Sequence, residues 1–373
     1  MPCSIQQRRF LDLSSSLEKV VLEKRMPYMG VLELTYRCNQ SCCHCYCNLR
    51  IDDGRKKDEL TTEEIKRILD ELAEAGCLWL LLSGGEILVR EDFWDIYLYA
   101  LRKGMLVPLF TNATLIDEEA ARRFAEFPPL GIDISIYGSN PSLHDSITGS
   151  KGSFKKMMDG VSWLRRYQVK FFMKAIVMTL NLHDLNNMQK LAEDLGAEFR
   201  SDAILSPRTD GGMEPAKYRL SVSEIVKLDL AEEGDYKVCK ETFADLWGKT
   251  EDNMLACGGG IFGFNINPYG TLSPCTMYSS FQHPLKGASF KDAWARLTKE
   301  YEARRKDLTP VECRSCSMLF ICPNCPAWAE LEAKSFTKKV NYLCEYAKYL
   351  EKEFFLKKKE VENGKKALSE AAN

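Results

Sequence analysis

Residues Tyr36 to Cys47 read YRCNQSCCHCYC, which places five cysteines within twelve residues. They directly follow an apolar run, GVLELTY, whose composition predicts a β-strand. Folds that alternate parallel strands with helices gather their chemistry at the carboxyl ends of the strands. The crowded thiols therefore indicate a metal or redox site at such a strand end.

Composition limits the class of protein. The chain has 373 residues, 45% of them hydrophobic, and a net charge of −2, so a large core is possible and no general affinity for nucleic acid is indicated. The sequence shows neither a signal-peptide pattern nor an apolar run of about 20 residues that would predict contact with a membrane. We therefore expect a cytoplasmic protein. Disulfides are disfavoured in that compartment, and the fifteen cysteines indicate metal or redox chemistry. Six lie between Cys3 and Cys47 and eight between Cys239 and Cys344, which predicts two separate sites.

Apolar, β-branched runs alternate with amphipathic segments through the first half of the chain. The predicted strands are at about 31–36, 78–83, 106–110, 131–136, 170–178 and 197–205. The predicted helices are at about 61–76, 91–103, 117–126, 153–167 and 184–195. Thr61 and Glu64 form a capping-box pattern at the start of the first. Six β-α repeats predict an α/β fold with a parallel sheet or partial barrel.

Cys38, Cys42 and Cys45 have the spacing C-x3-C-x2-C. Three thiolates on one loop can hold three irons of a [4Fe–4S] cube and leave the fourth iron open for a chelating ligand. A zinc site is the alternative for this triad, and Cys43 and Cys47 are interpreted as small buried hydrophobic residues. The spacing resembles the signature of the radical S-adenosylmethionine (radical SAM) enzymes, which bind AdoMet at the open iron.

The resemblance extends to further segments at strand ends. Gly84, Gly85 and Glu86, in LWLLLSGGEIL, are similar to the family's GGE segment and by resemblance bind the amino group of AdoMet. Glycines let a backbone approach closely, and a carboxylate accepts from an ammonium. Further candidates for AdoMet contacts are Asn112, Ser135, Lys174 and Leu205. Salt bridging within a strand is the alternative role for Lys174.

A second set of cysteines occupies the last third. Cys257 is followed by twelve residues, Gly270, four residues and Cys275, and then by CRSCSMLFICPNC and a final Cys344. This order resembles the SPASM extension of radical SAM enzymes, except that the last internal spacing is x2 instead of x3. By resemblance, one auxiliary [4Fe–4S] cluster would be held by Cys313, Cys316, Cys322 and Cys344. A second would be held by Cys257, Cys275 and Cys325, with either an open iron or Cys239 as fourth ligand. A zinc-ribbon module is the alternative.

The resemblance implies a partial (β/α)6, TIM-like barrel followed by a small Cys-rich SPASM domain that holds auxiliary iron–sulfur clusters. We expect a capping segment at 1–29, the barrel at 30–206, a linking helical segment at 207–256, the auxiliary-cluster domain at 257–350 and a charged tail at 351–373. Only about thirty residues precede the first strand. They are too few to form a domain that binds the leader segment of a peptide substrate. A separate leader-peptide-binding protein is therefore a possible partner.

The implied activity is reductive cleavage of AdoMet to a 5′-deoxyadenosyl radical, which abstracts hydrogen from a peptide or protein during ribosomal-peptide maturation, by thioether or carbon–carbon crosslinking or a related oxidation. A flavodoxin or ferredoxin would supply the electron. Alternatives are a small-molecule or tetrapyrrole-modifying enzyme, a sulfatase-maturase-like enzyme, and a non-catalytic iron–sulfur carrier or zinc scaffold. The acid–base candidates are His144 and Asp145, after the fourth strand, and Asp210, after the sixth. Turn-forming hydrogen bonds are the alternative role for the first two.

Overall fold

The computed structural model describes residues 20–47, 49–230, 258–304, 308, 310–318 and 322–353. These residues belong to two compact units, one from Met1–Tyr218 with Cys257–Arg304 and the other from Arg219–Ala256 with Arg305–Asn373. No helix in the described ranges is long and apolar enough to cross a bilayer. The functional boundaries predicted at 206, 256 and 350 stay predictions.

A nine-stranded sheet organises the first unit. Its strands are β1 Met29–Thr35, β4 Trp79–Gly84, β5 Pro108–Thr111, β6 Gly131–Ser135, β7 Phe171–Ile176, β8 Glu198–Asp202, β9 Gly263–Ile266, β10 Thr271–Ser273 and β11 His283–Pro284. Their order across the sheet is β11-β10-β9-β1-β4-β5-β6-β7-β8, and β2 Arg37–Cys38 and β3 Leu49–Arg50 form a separate two-stranded sheet. The six strands predicted from the sequence are all present and run parallel. The fold class predicted from the sequence is therefore confirmed as a parallel α/β partial barrel.

Three further strands extend the sheet beyond β1. β9 pairs parallel with β1, and β10 and β11 complete an antiparallel ribbon. Phe264, Leu272 and Trp294 from this part of the chain are buried in the same core as the β-α units. These strands were not predicted from the sequence, because each is only two to four residues long and the segment is rich in Gly and Cys.

Amphipathic helices cover the sheet. They are α1 Thr62–Glu74, α2 Phe93–Arg102, α3 Glu118–Glu126, α4 Pro141–Thr148, α5 Ser153–Arg166, α6 Leu185–Asp194 and α8 Phe290–Arg304. The capping box predicted at Thr61 and Glu64 is present, and Ile65, Ile68, Leu69 and Leu72 are the buried face of α1. Burial of each such side chain stabilises the fold by about 1.5–3 kcal/mol.

Helix α4 is a further element, absent from the five helices predicted from the sequence. The Asn140 side chain accepts from the Leu143 N–H, Pro141 occupies the first turn, and Gly149 ends the helix with φ 62°. An N-cap Asn, an early Pro and a C-terminal Gly are together the sequence signature of a short helix. The N–H groups of Ser41 and Cys43 donate to the carbonyls of Thr148 and Ile147. These bonds fasten the loop at residues 38–47, here called the cysteine loop, to this helix.

The longer regular elements among the described residues of the second unit are helices. It contains α7 Val222–Asp229, α9 Pro326–Ala333 and a helical segment at 341–353. Arg219 donates to Glu332 at 2.9 Å and lies over the rings of Trp328 and Tyr342. The Arg219 guanidinium therefore joins the segment before α7 to α9 and to the helical segment at 341–353.

Candidate active site

A cavity of about 300 Å³ lies at the carboxyl ends of the parallel strands. Its volume is at the lower end of the range for small-molecule sites. The predicted site residues on its wall are Cys38, Cys42, Cys45, Gly84, Gly85, Asn112, Ser135, Lys174 and Leu205. Residues at or just after the ends of five parallel strands thus converge with the cysteine loop on one space.

The cysteine loop begins at β2, Arg37–Cys38, which pairs with β3, Leu49–Arg50, in a separate small sheet. Burial raises the pKa of the Cys38 thiol to about 12, and burial also raises the pKa of the Cys42 thiol well above its usual value. Buried thiolates need positive charge beside them to ionise. Three cysteines facing one cavity are therefore a donor set that fits an iron–sulfur cluster.

Protein groups also contact the sulfur atoms of these cysteines. The Gln40 N–H donates to Cys38 Sγ at 3.4 Å, and Asn112 Nδ2 lies 3.7 Å from the same sulfur. Cys47 Sγ lies 3.8 Å from Cys45 Sγ. The sulfur positions are therefore held by side chains as well as by the backbone of the loop.

The turn at Gly84 and Gly85 packs directly against the end of β1. The Gly85 N–H donates to the Thr35 carbonyl at 2.7 Å, and the Glu86 N–H donates to the Arg37 carbonyl at 3.0 Å. Gly84 has φ 134°, and a Cβ atom at either glycine would collide with the carbonyl oxygens of Thr35 or Arg37. Only glycine fits here, which leaves the turn's backbone on the cavity wall.

Glu86 differs from the expectation that its carboxylate binds AdoMet directly. The side chain is fully buried and accepts from the Leu88 N–H, the Thr111 hydroxyl and the Asn112 N–H at 2.8–3.1 Å. Burial raises the pKa of this carboxyl group. Glu86 is not part of the cavity wall, because its oxygens join the glycine turn to the end of β5.

Asn112 lies on the wall, but its side chain is already bonded within the protein. Its amide nitrogen donates to Asn39 Oδ1 at 2.9 Å, and its amide oxygen accepts from the Thr114 hydroxyl at 2.6 Å. Asn39 in turn donates to Thr114 at 2.8 Å. This closed triangle ties the residue after Cys38 to the end of β5, so the geometry favours a positioning role for Asn112.

Lys174 presents a cation to the cavity. Its Nζ lies 4.4 Å from the centroid of the Phe110 ring. Within the described part of the chain, no carboxylate forms an ion pair with it, so the alternative of a strand salt bridge is not observed. Ser135 and Leu205 lie on the same wall. The cavity therefore offers a positive group, a hydroxyl and an apolar surface to one ligand.

The predicted acid–base pair does not reach the cavity. His144 and Asp145 lie on α4, and His144 Nδ1 accepts from the Tyr137 N–H at 3.3 Å. Asp145 accepts from the N–H groups of Gly152 and Phe154 and from the Ser153 hydroxyl. These bonds fix the start of α5 and agree with the turn-forming alternative, and the acid–base role of both residues stays a prediction.

Asp210 lies on an exposed loop beside the cysteine loop. Its carboxylate pairs with Arg208 at 3.1 Å, and 64% of its side chain is exposed. The neighbouring Thr209 donates through both its N–H and its hydroxyl to the Tyr46 carbonyl. Asp210 is not on the cavity wall, and its role as a base stays a prediction.

Several wall residues were not anticipated, including Gln40, His44, Tyr46 and Tyr137. The His44 ring meets the Tyr137 ring edge to face at 4.4 Å. The alternation of a strand puts Tyr137 on the same side as Ser135, which is a signal that could have identified it. Gln40, His44 and Tyr46 lie inside the quoted motif but have no distinctive spacing of their own.

Glu33 is a buried polar residue that the sequence analysis overlooked. Its carboxylate accepts from the hydroxyls of Tyr36 and Tyr46 at 2.9 and 2.8 Å and from Asn265 Nδ2 at 3.1 Å. The Asn265 oxygen accepts from Thr276, beside Cys275. One carboxylate therefore connects the cysteine loop, β1 and β9.

The second unit brings another set of predicted ligands together. Cys313, Cys316, Cys322 and Cys344 line a small cavity of about 50 Å³. Its other polar side chains are Asn324, Lys339 and Lys348. Cys325 precedes α9 in this unit, and Cys275 belongs to the first unit. Cys257 and Cys239 lie outside the described residues.

Comparison with known proteins supports this description. A family model described as the Radical SAM superfamily matches residues 32–195. The AdoMet-dependent heme synthase of Methanosarcina barkeri is 26% identical over 323 residues, covering 81% of this chain and 92% of that protein. The PqqA peptide cyclase of Bradyrhizobium diazoefficiens is 31% identical over 273 residues, covering 67% of each.

The fold also has close counterparts among solved structures. Streptococcus suis SuiB bound to its precursor peptide SuiA superposes with a TM-score of 0.70 and 17% identity, covering 90% of this chain and 81% of that one. At this level of identity the likeness concerns the fold alone.

Proposed function

This chain belongs to the radical SAM superfamily, in its SPASM-type branch, and we propose that it cleaves AdoMet reductively in order to remove a hydrogen atom from a peptide substrate. The observation that carries the proposal is the shared cavity, because the three loop cysteines, the Gly84–Gly85 turn and Lys174 all line it. A four-iron cluster and AdoMet are the cofactors that the family implies.

Cys38, Cys42 and Cys45 would hold the cluster. When bound, the cluster supplies one electron for cleavage of AdoMet, and the released fragment takes a hydrogen atom from an unactivated carbon. A flavodoxin or ferredoxin is the reductant that we propose. The protein's own part is to hold the sulfur atoms, orient AdoMet and exclude water from the cavity.

The remaining wall residues suit the parts of AdoMet. The backbone at Gly84 and Gly85 can approach the amino group, since neither residue has a side chain in the way. Lys174 would attract the carboxylate, which the absence of a described ion-pair partner favours. Ser135 offers a hydrogen bond to a polar group, and Leu205 offers an apolar surface to the adenine.

We propose that Cys313, Cys316, Cys322 and Cys344 hold an auxiliary [4Fe–4S] cluster, because four cysteine thiols converge on one small cavity. A second auxiliary cluster at Cys257, Cys275 and Cys325, with an open iron or Cys239, is proposed from the sequence pattern alone. Electrons left after hydrogen abstraction could pass to these centres.

A peptide is the favoured substrate because the relative with 31% identity is a peptide cyclase. A tetrapyrrole is the second candidate, since the heme synthase is aligned over 92% of its own length. Ribosomal-peptide maturation, with or without a separate leader-binding protein, follows from the first candidate. Neither candidate changes the assignment of the AdoMet cavity.

The test is anaerobic reconstitution with iron and sulfide, followed by dithionite and AdoMet, with 5′-deoxyadenosine measured by chromatography. We expect the wild type and Cys43→Ala to form 5′-deoxyadenosine and Cys42→Ala to form none. Peptides encoded beside the gene and an iron porphyrin would then be compared as substrates, by mass change and by stimulation of cleavage. A reconstituted wild type that never releases 5′-deoxyadenosine would refute the proposal.

A further inference from the structure

Cys47 lies behind a proposed cluster ligand. Its sulfur is 3.8 Å from Cys45 Sγ, and only 6% of the residue is exposed. Cys45 forms part of the cavity wall, whereas Cys47 does not. Cys45 is therefore placed to bind a metal cluster in the cavity, and Cys47 is placed to contact the ligand sulfur from the protein side.

The Cys47 thiol has two acceptors within reach. One is Cys45 Sγ, and the other is the Tyr36 carbonyl oxygen at 3.9 Å. A metal-bound thiolate carries negative charge, and hydrogen bonds to charged acceptors are stronger than those to neutral ones. The proton should therefore point to Cys45 once the cluster is bound.

We infer that the Cys47 thiol donates a hydrogen bond to the Cys45 sulfur and thereby raises the reduction potential of the cluster on this loop. The inference rests on the proposed function, because it takes Cys38, Cys42 and Cys45 as the ligands. It makes Cys47 a positioning residue that acts through Cys45.

The donor raises the reduction potential, and does not lower it, because of the charge on the cluster. Reduction adds one electron, part of which is carried by the ligand sulfurs, so a donor stabilises the reduced state more than the oxidised state. Hydrogen bonds to the sulfurs are among the main determinants of iron–sulfur potentials. Low exposure strengthens the effect, because little water competes for the sulfur.

The two other sulfurs have different neighbours. Cys38 Sγ accepts from the Gln40 N–H and is approached by Asn112 Nδ2. The Cys42 thiol points to Gln40 Oε1 at 3.6 Å. Cys47 is thus a separately removable donor to Cys45, and its substitution leaves these contacts in place.

The experiment compares three reconstituted full-length variants with the wild type. Cys47→Ala removes the donor, Cys47→Ser keeps a donor of similar size, and Cys43→Ala is the matched control. Cys43 is on the same loop, but it is not on the cavity wall and its side chain interacts with Tyr218. Iron per chain is counted first. The cluster whose paramagnetic resonance signal changes on addition of AdoMet is then titrated against solution potential.

We expect equal iron in all four proteins. At a fixed solution potential, Cys47→Ala should hold about tenfold less reduced cluster relative to oxidised, which corresponds to about 59 mV for one electron. Cys47→Ser should recover most of this change, and Cys43→Ala should match the wild type.

An unchanged potential in Cys47→Ala would overturn the inference. A fourth variant, Cys45→Ala, tests which of the two cysteines is the ligand. Loss of the AdoMet-sensitive cluster in Cys47→Ala together with its retention in Cys45→Ala would also overturn the inference, since Cys47 would then be the ligand. Absence of 5′-deoxyadenosine is a separate result: it refutes the proposed function but leaves the potential of the cluster measurable.

Discussion

At the scale of single residues, Lys174 gives the sharpest prediction about AdoMet. Its ammonium faces the cavity, whereas Lys170, four residues earlier on the same side of the chain, is exposed. Lys174→Met should weaken AdoMet binding by about 1.5–3 kcal/mol, the size of a charge-assisted hydrogen bond. Equilibrium dialysis of the reconstituted protein measures this directly.

Lys170→Met is the matched control, and its AdoMet affinity should equal that of the wild type. Equal affinity in Lys174→Met would remove this lysine from the binding site. The iron content of both variants should stay constant, which separates loss of AdoMet binding from loss of the cluster.

The buried ring of His144 should make the free energy of unfolding depend on pH. Burial lowers its pKa from 6.5 to about 4, so the folded protein keeps the ring neutral while the unfolded chain protonates it. Its contribution is complete above pH 6.5 and is lost as the pH falls towards 4. By pH 5.5 the loss should be on the order of 1 kcal/mol.

Thermal unfolding at pH 7.5 and 5.5 tests this contribution. The melting temperature of His144→Phe should fall less between these pH values than that of the wild type, whatever its absolute stability. His183→Gln, at an exposed position, should behave like the wild type. An identical pH response in His144→Phe would contradict the interpretation.

These residues show what spacing can and cannot predict. Cys38, Cys42 and Cys45 were identified because ligands on one loop have a short, regular spacing. Glu86 and Asn112 were also identified as important, but their hydrogen-bond partners come from other strands and depend on three-dimensional packing. Glu33 was missed because its partner Asn265 is 232 positions away.

At the scale of elements, the end of α4 supports the cysteine loop. Gly149 has φ 62°, and a Cβ atom there would approach the Ser41 carbonyl to 2.8 Å. Gly152 has a similar φ of 82°, but a Cβ atom would meet nothing within 4 Å. An Ala substitution would strain the backbone at both positions but would clash with the cysteine loop only at Gly149. Comparing the two substitutions therefore separates the two effects.

We predict that Gly149→Ala and Gly152→Ala each lose about 1–2 kcal/mol of stability from the left-handed backbone. Gly149→Ala alone should also displace Ser41 and retain less iron after reconstitution. Iron content and thermal unfolding of both variants provide the measurement. Equal iron retention would show that α4 does not hold the loop in place.

The elements themselves were largely predictable, since six strands and five helices have strong periodicity or capping signals. Helix α4 was not predicted because its eight residues are too few to show a clear apolar face, although its Asn, Pro and Gly signals were present. Strands β9 to β11 were hidden for a similar reason, being two to four residues long.

At the scale of the whole molecule, the two groups of cysteines pose the main question about cofactor content. The first lines the cavity proposed to bind AdoMet, and the second lines a cavity in the other unit. A cluster on each, with a further one at Cys257, Cys275 and Cys325, would give about twelve irons per chain. Zinc at both of these C-terminal cysteine sites would leave only the first cluster and give about four irons.

Cys344→Ala distinguishes these possibilities, because it removes one of four thiols from the second cavity and leaves the first cavity intact. We predict that it lowers the iron content by about four per chain. The AdoMet-sensitive signal should persist, since its ligands are in the other unit. Cys43→Ala controls for loss of a thiol and should keep full iron. Unchanged iron in Cys344→Ala, with zinc lost instead, would establish a zinc module beside a radical SAM core and would remove the auxiliary cluster from the proposed electron route.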